Sequence, residues 1–231
     1  MSQLIVLVPA PALGPASWRP VAERLTATGW DVVVPSLAGF ADGGPPYAPR
    51  LTELVARQVP AGLRDSVVLV THSGAGAFAG QLTAAIRAGE TVAVFADAGL
   101  PGPDGGGPVV DAQFLPYLRQ IASDGVVPPW PQWWPGEDLS PLFPDEQTQR
   151  EVTAEAAALP LACYEETLPP VPDGWPPARA GYLLFSLGYR PAADHAAALG
   201  WPVAEVPGEH LHMLVSPAGV ADAITTLAGP G

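Results

Sequence analysis

Six short runs of aliphatic and β-branched residues recur along the chain: LIVLV (4–8), DVVVP (31–35), SVVLV (66–70), TVAVFA (91–96), GYLLFS (181–186) and WPVAEV (201–206). Their apolar character is continuous rather than alternating. An alternating strand needs cover on one face, whereas a continuously apolar one needs it on both, which is the condition of a parallel sheet between two helical layers. Helix-like segments separate the runs, as parallel neighbours require. Trp18, Val21, Ala22 and Leu25 fall on one helical face, with Ser17 as the expected N-cap and Gly29 as the stop. Leu51, Leu54, Val55 and Val59 repeat that spacing, a third helix is expected from Gly74 to about Arg87, and a fourth starts at Ser216-Pro217. The expected class is a doubly wound α/β domain with a mostly parallel sheet.

Residues 101–177 break this rhythm. They are dense in proline and glycine and hold Trp130, Trp133, Trp134 and Trp175, four of the seven tryptophans. A segment this long carries secondary structure of its own, expected here as helices over 111–123 and 145–158. The chain therefore divides into a core, 1–100 and 178–231, and an inserted helical lid, 101–177, before the penultimate strand. Trp130, Trp133 and Trp134 are candidate substrate-binding residues under that lid. The plainer alternative is that they only pin the insertion to the body.

Charge narrows the function. The ten basic residues are all arginine, and 23 acidic residues leave a net charge of -13. That field repels nucleic acid and anionic membrane surfaces and favours a small neutral partner. Without lysine there is no phosphate-binding P-loop lysine and no Schiff base, so pyridoxal phosphate chemistry is excluded and no cofactor is expected. Cys163 is the only cysteine, which fits a reducing, cytoplasmic setting. The apolar start lacks a basic n-region and reads as the first strand rather than a signal peptide. No run approaches the ~18 apolar residues of a membrane span.

The stretch VVLVTHSGAGAFAG (67–80) admits two chemistries. Gly74, Gly76 and Ala79 satisfy a relaxed G-x-G-x-x-A dinucleotide pattern, with Asp97 at the distance of a ribose-binding acid. Against it, Thr71, His72 and Ser73 intervene between the strand and the first glycine, and two strands precede the unit. Alternatively THSGA is a variant of G-x-S-x-G, with Thr71 and Ala75 as the small residues and Ser73 raised on a strained turn at the sheet edge. VPGEHLHMLVSP then supplies His210 in a loop after the last strand, in the chain order serine then histidine. His72, next to the nucleophile, is expected to point away from it. His195 falls on a helix surface and His212 comes two residues late, and a metal site at His210 and His212 has no identifiable further ligands.

With these motifs in place, LVPAPALGPASWRPVAERL, VLVTHSGAGA, VAVFADAGLP and GWPVAEVPGEHLHMLVSPAGVADAI resemble the small serine-dependent α/β-hydrolases, over nearly the whole length. The resemblance is to their alanine- and proline-rich bacterial members with a lid, and the family's first two strands are missing. It implies Ser73 as nucleophile and His210 as base. In most of the family the acid follows the strand corresponding to GYLLFS, but LGYRPAAD offers no carboxylate before Asp194. Asp97 is the better candidate, because some lipases of this fold take their acid from the equivalent place. Asp194 and the Glu165/Glu166 pair are the other candidates, and Asp97 as a cap at the lid entry is the plainer reading. The resemblance also implies an oxyanion hole from Gly74 and a residue after the first strand. There the chain has Pro9, Ala10 and Pro11, so Ala12 is the candidate second donor.

The expected function is hydrolysis of a small, neutral, largely apolar ester, thioester, lactone or amide through an acyl-enzyme on Ser73. One alternative is a lyase, isomerase or cyclase that uses His210 for proton transfer in the same pocket. Others are a non-catalytic ligand binder and the dinucleotide reading.

Overall fold

The computed structural model describes residues 3–60, 64–86, 88–171 and 175–229. The strands are β1 (Gln3–Val8), β2 (Asp31–Val33), β3 (Arg64–Ser73), β4 (Ala88–Ala98), β5 (Gly107–Pro108), β6 (Val126–Val127), β7 (Leu159–Pro160), β8 (Thr167–Leu168), β9 (Arg179–Leu184) and β10 (Val203–Glu205). Six of them form one parallel sheet in the order β10-β9-β4-β3-β1-β2. The crossovers and closing helices are α1 (Arg19–Ala27), α2 (Ala48–Gln58), α3 (Ala79–Ala85), α4 (Leu115–Ile121), α5 (Glu146–Ala154), α6 (Leu161–Tyr164), α7 (Arg190–Ala198), α8 (His212–Val215) and α9 (Pro217–Ala228).

The pleat of β4 shows why its apolar run is continuous. Val92, Val94 and Ala96 pack in one core cluster with Val220, Ile224 and Leu227 of α9, while Ala93 and Phe95 belong to a second cluster with Ala193 and Ala196 of α7. Both faces are thus covered, as a parallel sheet requires. The sheet edges depart from that expectation. β2 spans only Asp31–Val33 and β10 only Val203–Glu205, and both are half exposed. Each has a neighbour on one side only, so hydrogen-bonded pairing stops where the chain turns back toward its helix.

Local corrections concern helix starts. Pro15–Ser17 form a 3₁₀ turn, so the N-cap of α1 is Trp18, and the buried Ser17 hydroxyl donates to the Gly14 carbonyl at 2.8 Å instead of capping. Gly29 follows the C-cap with φ +95°, the left-handed conformation that ends helices. The helix expected from Gly74 divides into a 3₁₀ turn, Gly74–Phe78, and α3. Arg87, its expected end, lies outside the described residues.

Between β4 and β9 the chain leaves the sheet. It forms two antiparallel pairs, β5 with β8 and β6 with β7, together with α4, α5 and α6. Both expected helices are shorter than their patterns, α4 because Asp111 accepts from the N–H groups of Gln113 and Phe114 and holds a turn before it. The segment is tied to the core by carboxylates. Glu155 accepts from Ala16 N–H at 2.7 Å, and Glu166 accepts from Tyr47 and Ala48 N–H at the start of α2. Among the described residues no helix is long and apolar enough to cross a membrane.

Candidate active site

β3 ends at Ser73 with φ 55° and ψ -128°, a region that costs a non-glycine residue about 1–3 kcal/mol. Beside it the β3–β4 register slips: His72 pairs with Ala96 but Ser73 with Ala98, leaving Asp97 as an extra residue with φ 44°. Such a bulge bends a strand and re-aims a side chain. Two residues in strained conformations therefore stand on adjacent strands at the carboxyl edge of the sheet.

The turn after Ser73 is possible only with small residues. A Cβ on Gly76 would stand 2.0 Å from the Gly99 carbonyl oxygen, and one on Gly80 would stand 2.4 Å from that of Gly105. These glycines admit neighbouring backbone, which leaves no open phosphate cradle at Gly76 and corrects the dinucleotide reading of Gly74, Gly76 and Ala79. Gly76→Ala is expected to destabilise the fold by about 1–3 kcal/mol, because the obstacle is main chain and not a movable side chain. An unchanged urea midpoint would contradict this contact.

Asp97 is fully buried. Its Oδ1 accepts from the N–H groups of Phe185 (2.8 Å) and Ser186 (3.0 Å), and its Oδ2 accepts from Ser186 Oγ at 2.5 Å and lies 3.0 Å from His210 Nδ1. Burial pushes the carboxyl upward in pKa, but hydrogen bonds from His210, Ser186 and Phe185 outweigh it and hold the group below its ordinary value. An ionised carboxylate only accepts, so the Nδ1 facing it carries a proton, and in the neutral imidazole the lone pair is then on Nε2.

His210 sits in the loop between β10 and α8, and two rings stack on it, one nearly parallel and one tilted by 30°. His72 stacks on it at 4.6 Å between centroids and Tyr189 at 4.9 Å with only 6° between planes. His72 does point away from the cavity, but it is not idle. It is fully buried, and its Nε2 donates to the His210 carbonyl at 3.1 Å. Burial, then the nearby His210, pushes its pKa down to about 3, so it is neutral. Tyr189, in the turn after β9, places its hydroxyl 3.1 Å from Ser73 Oγ. Sequence reading missed Tyr189 and Ser186, and its only hint was their position after β9, where the family resemblance sought an acid.

The other acid candidates lie elsewhere. Asp194 is on the exposed side of α7, Glu165 pairs with Arg119 at 2.8 Å, and Glu166 holds the α2 start. His195 is exposed on α7, and His212 packs against Gly208 and Phe185.

Ser73, Gly74, Ala12, His210 and Tyr189 all line one cavity of about 1280 Å³. Pro11 and Ala12 are the central residues of a turn closed by Leu13 N–H on the Ala10 carbonyl at 2.8 Å, so the Ala12 N–H is not used by that turn. Trp130, Trp133 and Trp134 form a mutually packed aromatic wall of the same cavity, with Trp133 Nε1 donating to the Pro128 carbonyl. Trp175 instead packs on Phe95 and against Gly105, pinning the segment down. Among the described lining residues there are four carboxylates, Asp111, Glu137, Asp138 and Glu209, and no arginine.

Comparison with known proteins agrees with this architecture. Solved structures of the same fold include an extracellular alpha/beta-hydrolase from a Paenibacillus species, with TM-score 0.73 and 18% identity over 98% of this chain and 99% of that one. Tomato Methylketone Synthase I complexed with 2-tridecanone superimposes with TM-score 0.70 and 16% identity, covering 99% and 98%. A pyrethroid hydrolase does so with TM-score 0.65 and 18% identity, covering 99% and 98%. No curated protein matches the sequence significantly. The profile of the alpha/beta hydrolase family matches residues 5–223, so the chain belongs to that family and is an enzyme of the hydrolase class.

Proposed function

We propose that the protein is a serine esterase in which Ser73 is the nucleophile, His210 the base and Asp97 the acid that orients it. The observation carrying this reading is the 3.0 Å contact between His210 Nδ1 and the buried Asp97 carboxylate, on the cavity that Ser73 also faces. In acylation the Ser73 Oγ–H proton passes to His210 Nε2 as Oγ bonds to the carbonyl carbon. The leaving alcohol then departs with that proton. Water repeats the sequence to release the acid and restore Ser73. Gly74 N–H at the start of the 3₁₀ turn and Ala12 N–H are the proposed oxyanion donors.

Residues 101–177 act as the lid in this reading, with the wall of Trp130, Trp133 and Trp134 receiving an apolar acyl or alcohol group. The carboxylates and the lack of arginine in the lining favour a neutral ester, thioester, lactone or amide over an anionic one. A cytoplasmic setting belongs to the same proposal and rests on the single buried Cys163. One observation favours a second reading. Ser73 Oγ is hydrogen-bonded to Tyr189 and not to His210, which suits proton transfer by His210 without a serine adduct, and a methylketone synthase shares the fold.

Intact-protein mass after exposure to a fluorophosphonate separates the two. One adduct is expected on the wild type, none on Ser73→Ala, and a much slower one on His210→Ala. A folded wild type that takes no adduct would exclude the acyl-enzyme route and leave proton transfer.

A further inference from the structure

The turn after β9 is where most relatives of this chain would be expected to carry an acid, but Ser186 and Tyr189 occupy it, and Asp97 on β4 meets the histidine instead. Freed of that duty, the turn delivers an aromatic ring onto His210 and a hydroxyl onto Ser73. The ring stacks nearly parallel to the imidazole, at 6° and 4.9 Å, and the hydroxyl is 3.1 Å from Ser73 Oγ. The only polar atom of the side chain therefore meets the proposed nucleophile, and its flat face fixes the proposed base.

We infer that Tyr189 is a further catalytic residue, whose hydroxyl donates a hydrogen bond to Ser73 Oγ whenever that oxygen carries developing negative charge. This rests on the reading of Ser73 as nucleophile. Charge develops on Oγ twice. In acylation the Oγ–H bond breaks toward His210 Nε2 while the bond to the carbonyl carbon is still forming. In deacylation the carbon–Oγ bond breaks, the electron pair returns to Oγ, and the proton on Nε2 follows it. Tyr189 keeps its own proton throughout and only points it at Oγ, so no net transfer passes through the phenol.

The surroundings keep that phenol a donor. Burial, and then the carboxylates of Asp97 and Asp111, outweigh the lowering effect of the Ser73 bond and push its pKa up to about 12. The hydroxyl is neutral at working pH. A hydrogen bond to a charged partner is worth more than one to a neutral partner, so the contact strengthens as charge develops and favours the transition state over the resting enzyme. It also offsets the irregular oxyanion loop at Pro9–Pro11, because stabilising Oγ helps the same steps that a second backbone donor would help.

Tyr189→Phe removes the hydroxyl and keeps the ring on His210, so it separates chemistry from packing. With a fluorophosphonate, the variant is expected to react at Ser73 alone, with a second-order rate about 10- to 100-fold below wild type. With a p-nitrophenyl ester, kcat should fall by a similar factor with KM and the acyl-enzyme burst amplitude little changed, because acylation and deacylation slow together. Tyr189→Leu, which also removes the stacking ring, should lose more activity than Tyr189→Phe. Rates for Tyr189→Phe equal to or above wild type would overturn the inference, making the tyrosine a packing group or a latch that holds the serine back. Failure of the wild type itself to form a Ser73 adduct would instead overturn the nucleophile reading on which it rests.

Discussion

Asp97→Asn is expected to lower kcat for a p-nitrophenyl ester by about 10³- to 10⁴-fold while leaving the protein folded, the scale seen when a triad acid is made neutral. The backbone should accept the change, because Asp97 lies at φ 44°, where asparagine is among the few tolerated side chains. The amide oxygen can keep the N–H groups of Phe185 and Ser186, now held by Oδ1. The amide NH₂ must then take the place of Oδ2, facing Ser186 Oγ and His210 Nδ1. The serine hydroxyl can turn round and accept. The imidazole can accept at Nδ1 only by moving its proton to Nε2, and a protonated Nε2 cannot take the proton of Ser73. A variant with native-like circular dichroism and kcat within tenfold of wild type would remove Asp97 from the mechanism.

A second large effect concerns acid. His72 is held neutral in the folded protein, with a pKa near 3 against 6.5 for an ordinary histidine. Above pH 6.5 neither the folded nor the unfolded chain protonates it, so its contribution to stability is fully present. As pH falls below 6.5 the unfolded chain gains a proton that the folded one refuses, and stability drops by ~1.4 kcal/mol per pH unit until the folded pKa is reached. Asp97 acts with the same sign at lower pH, since its carboxyl is also held below its ordinary value and stays charged in the fold while the unfolded chain protonates. Urea unfolding at pH 7 and pH 4.5 should therefore differ strongly for the wild type. His72→Phe, which keeps a flat ring beneath His210, should reduce that difference by about 2–3 kcal/mol whatever it does to stability at pH 7. The same pH dependence in both proteins would mean that His72 titrates normally.

The parts of the fold readable from sequence are those decided by neighbours in the chain. The centres of the sheet strands follow from apolar runs such as LIVLV and VAVFA, and the ends of β2 and β10 do not, because an edge is defined by the strand that is missing beside it. Ser73 stood out through its strand, tight turn and helix, and His210 through its place after the last strand. Asp97 was harder, since nothing local announces the register slip that gives it an extra place on β4. His72 and Tyr189 were out of reach for a plainer reason. Their contacts with His210 and Ser73 cross 138 and 116 residues, and no periodicity records which two loops will meet above a sheet. Glu166 offered a false lead for a similar reason, because an acid that ends up on a helix terminus looks in sequence like any other.

That last contact limits how the cavity opens. The Glu166 carboxylate supplies acceptors for the first free N–H groups of α2, and Glu155 does the same for the turn before α1. Swinging the whole 101–177 segment away would strip both sites of their carboxylate acceptors at once, leaving the donors of the Pro15–Ser17 turn and those at the positive end of the α2 dipole to be satisfied by water alone. In the proposed lid, opening is therefore cheapest ahead of the two tethers, where the tryptophan wall of residues 130–134 lies, and should be a local rearrangement there while residues 155–166 stay fixed.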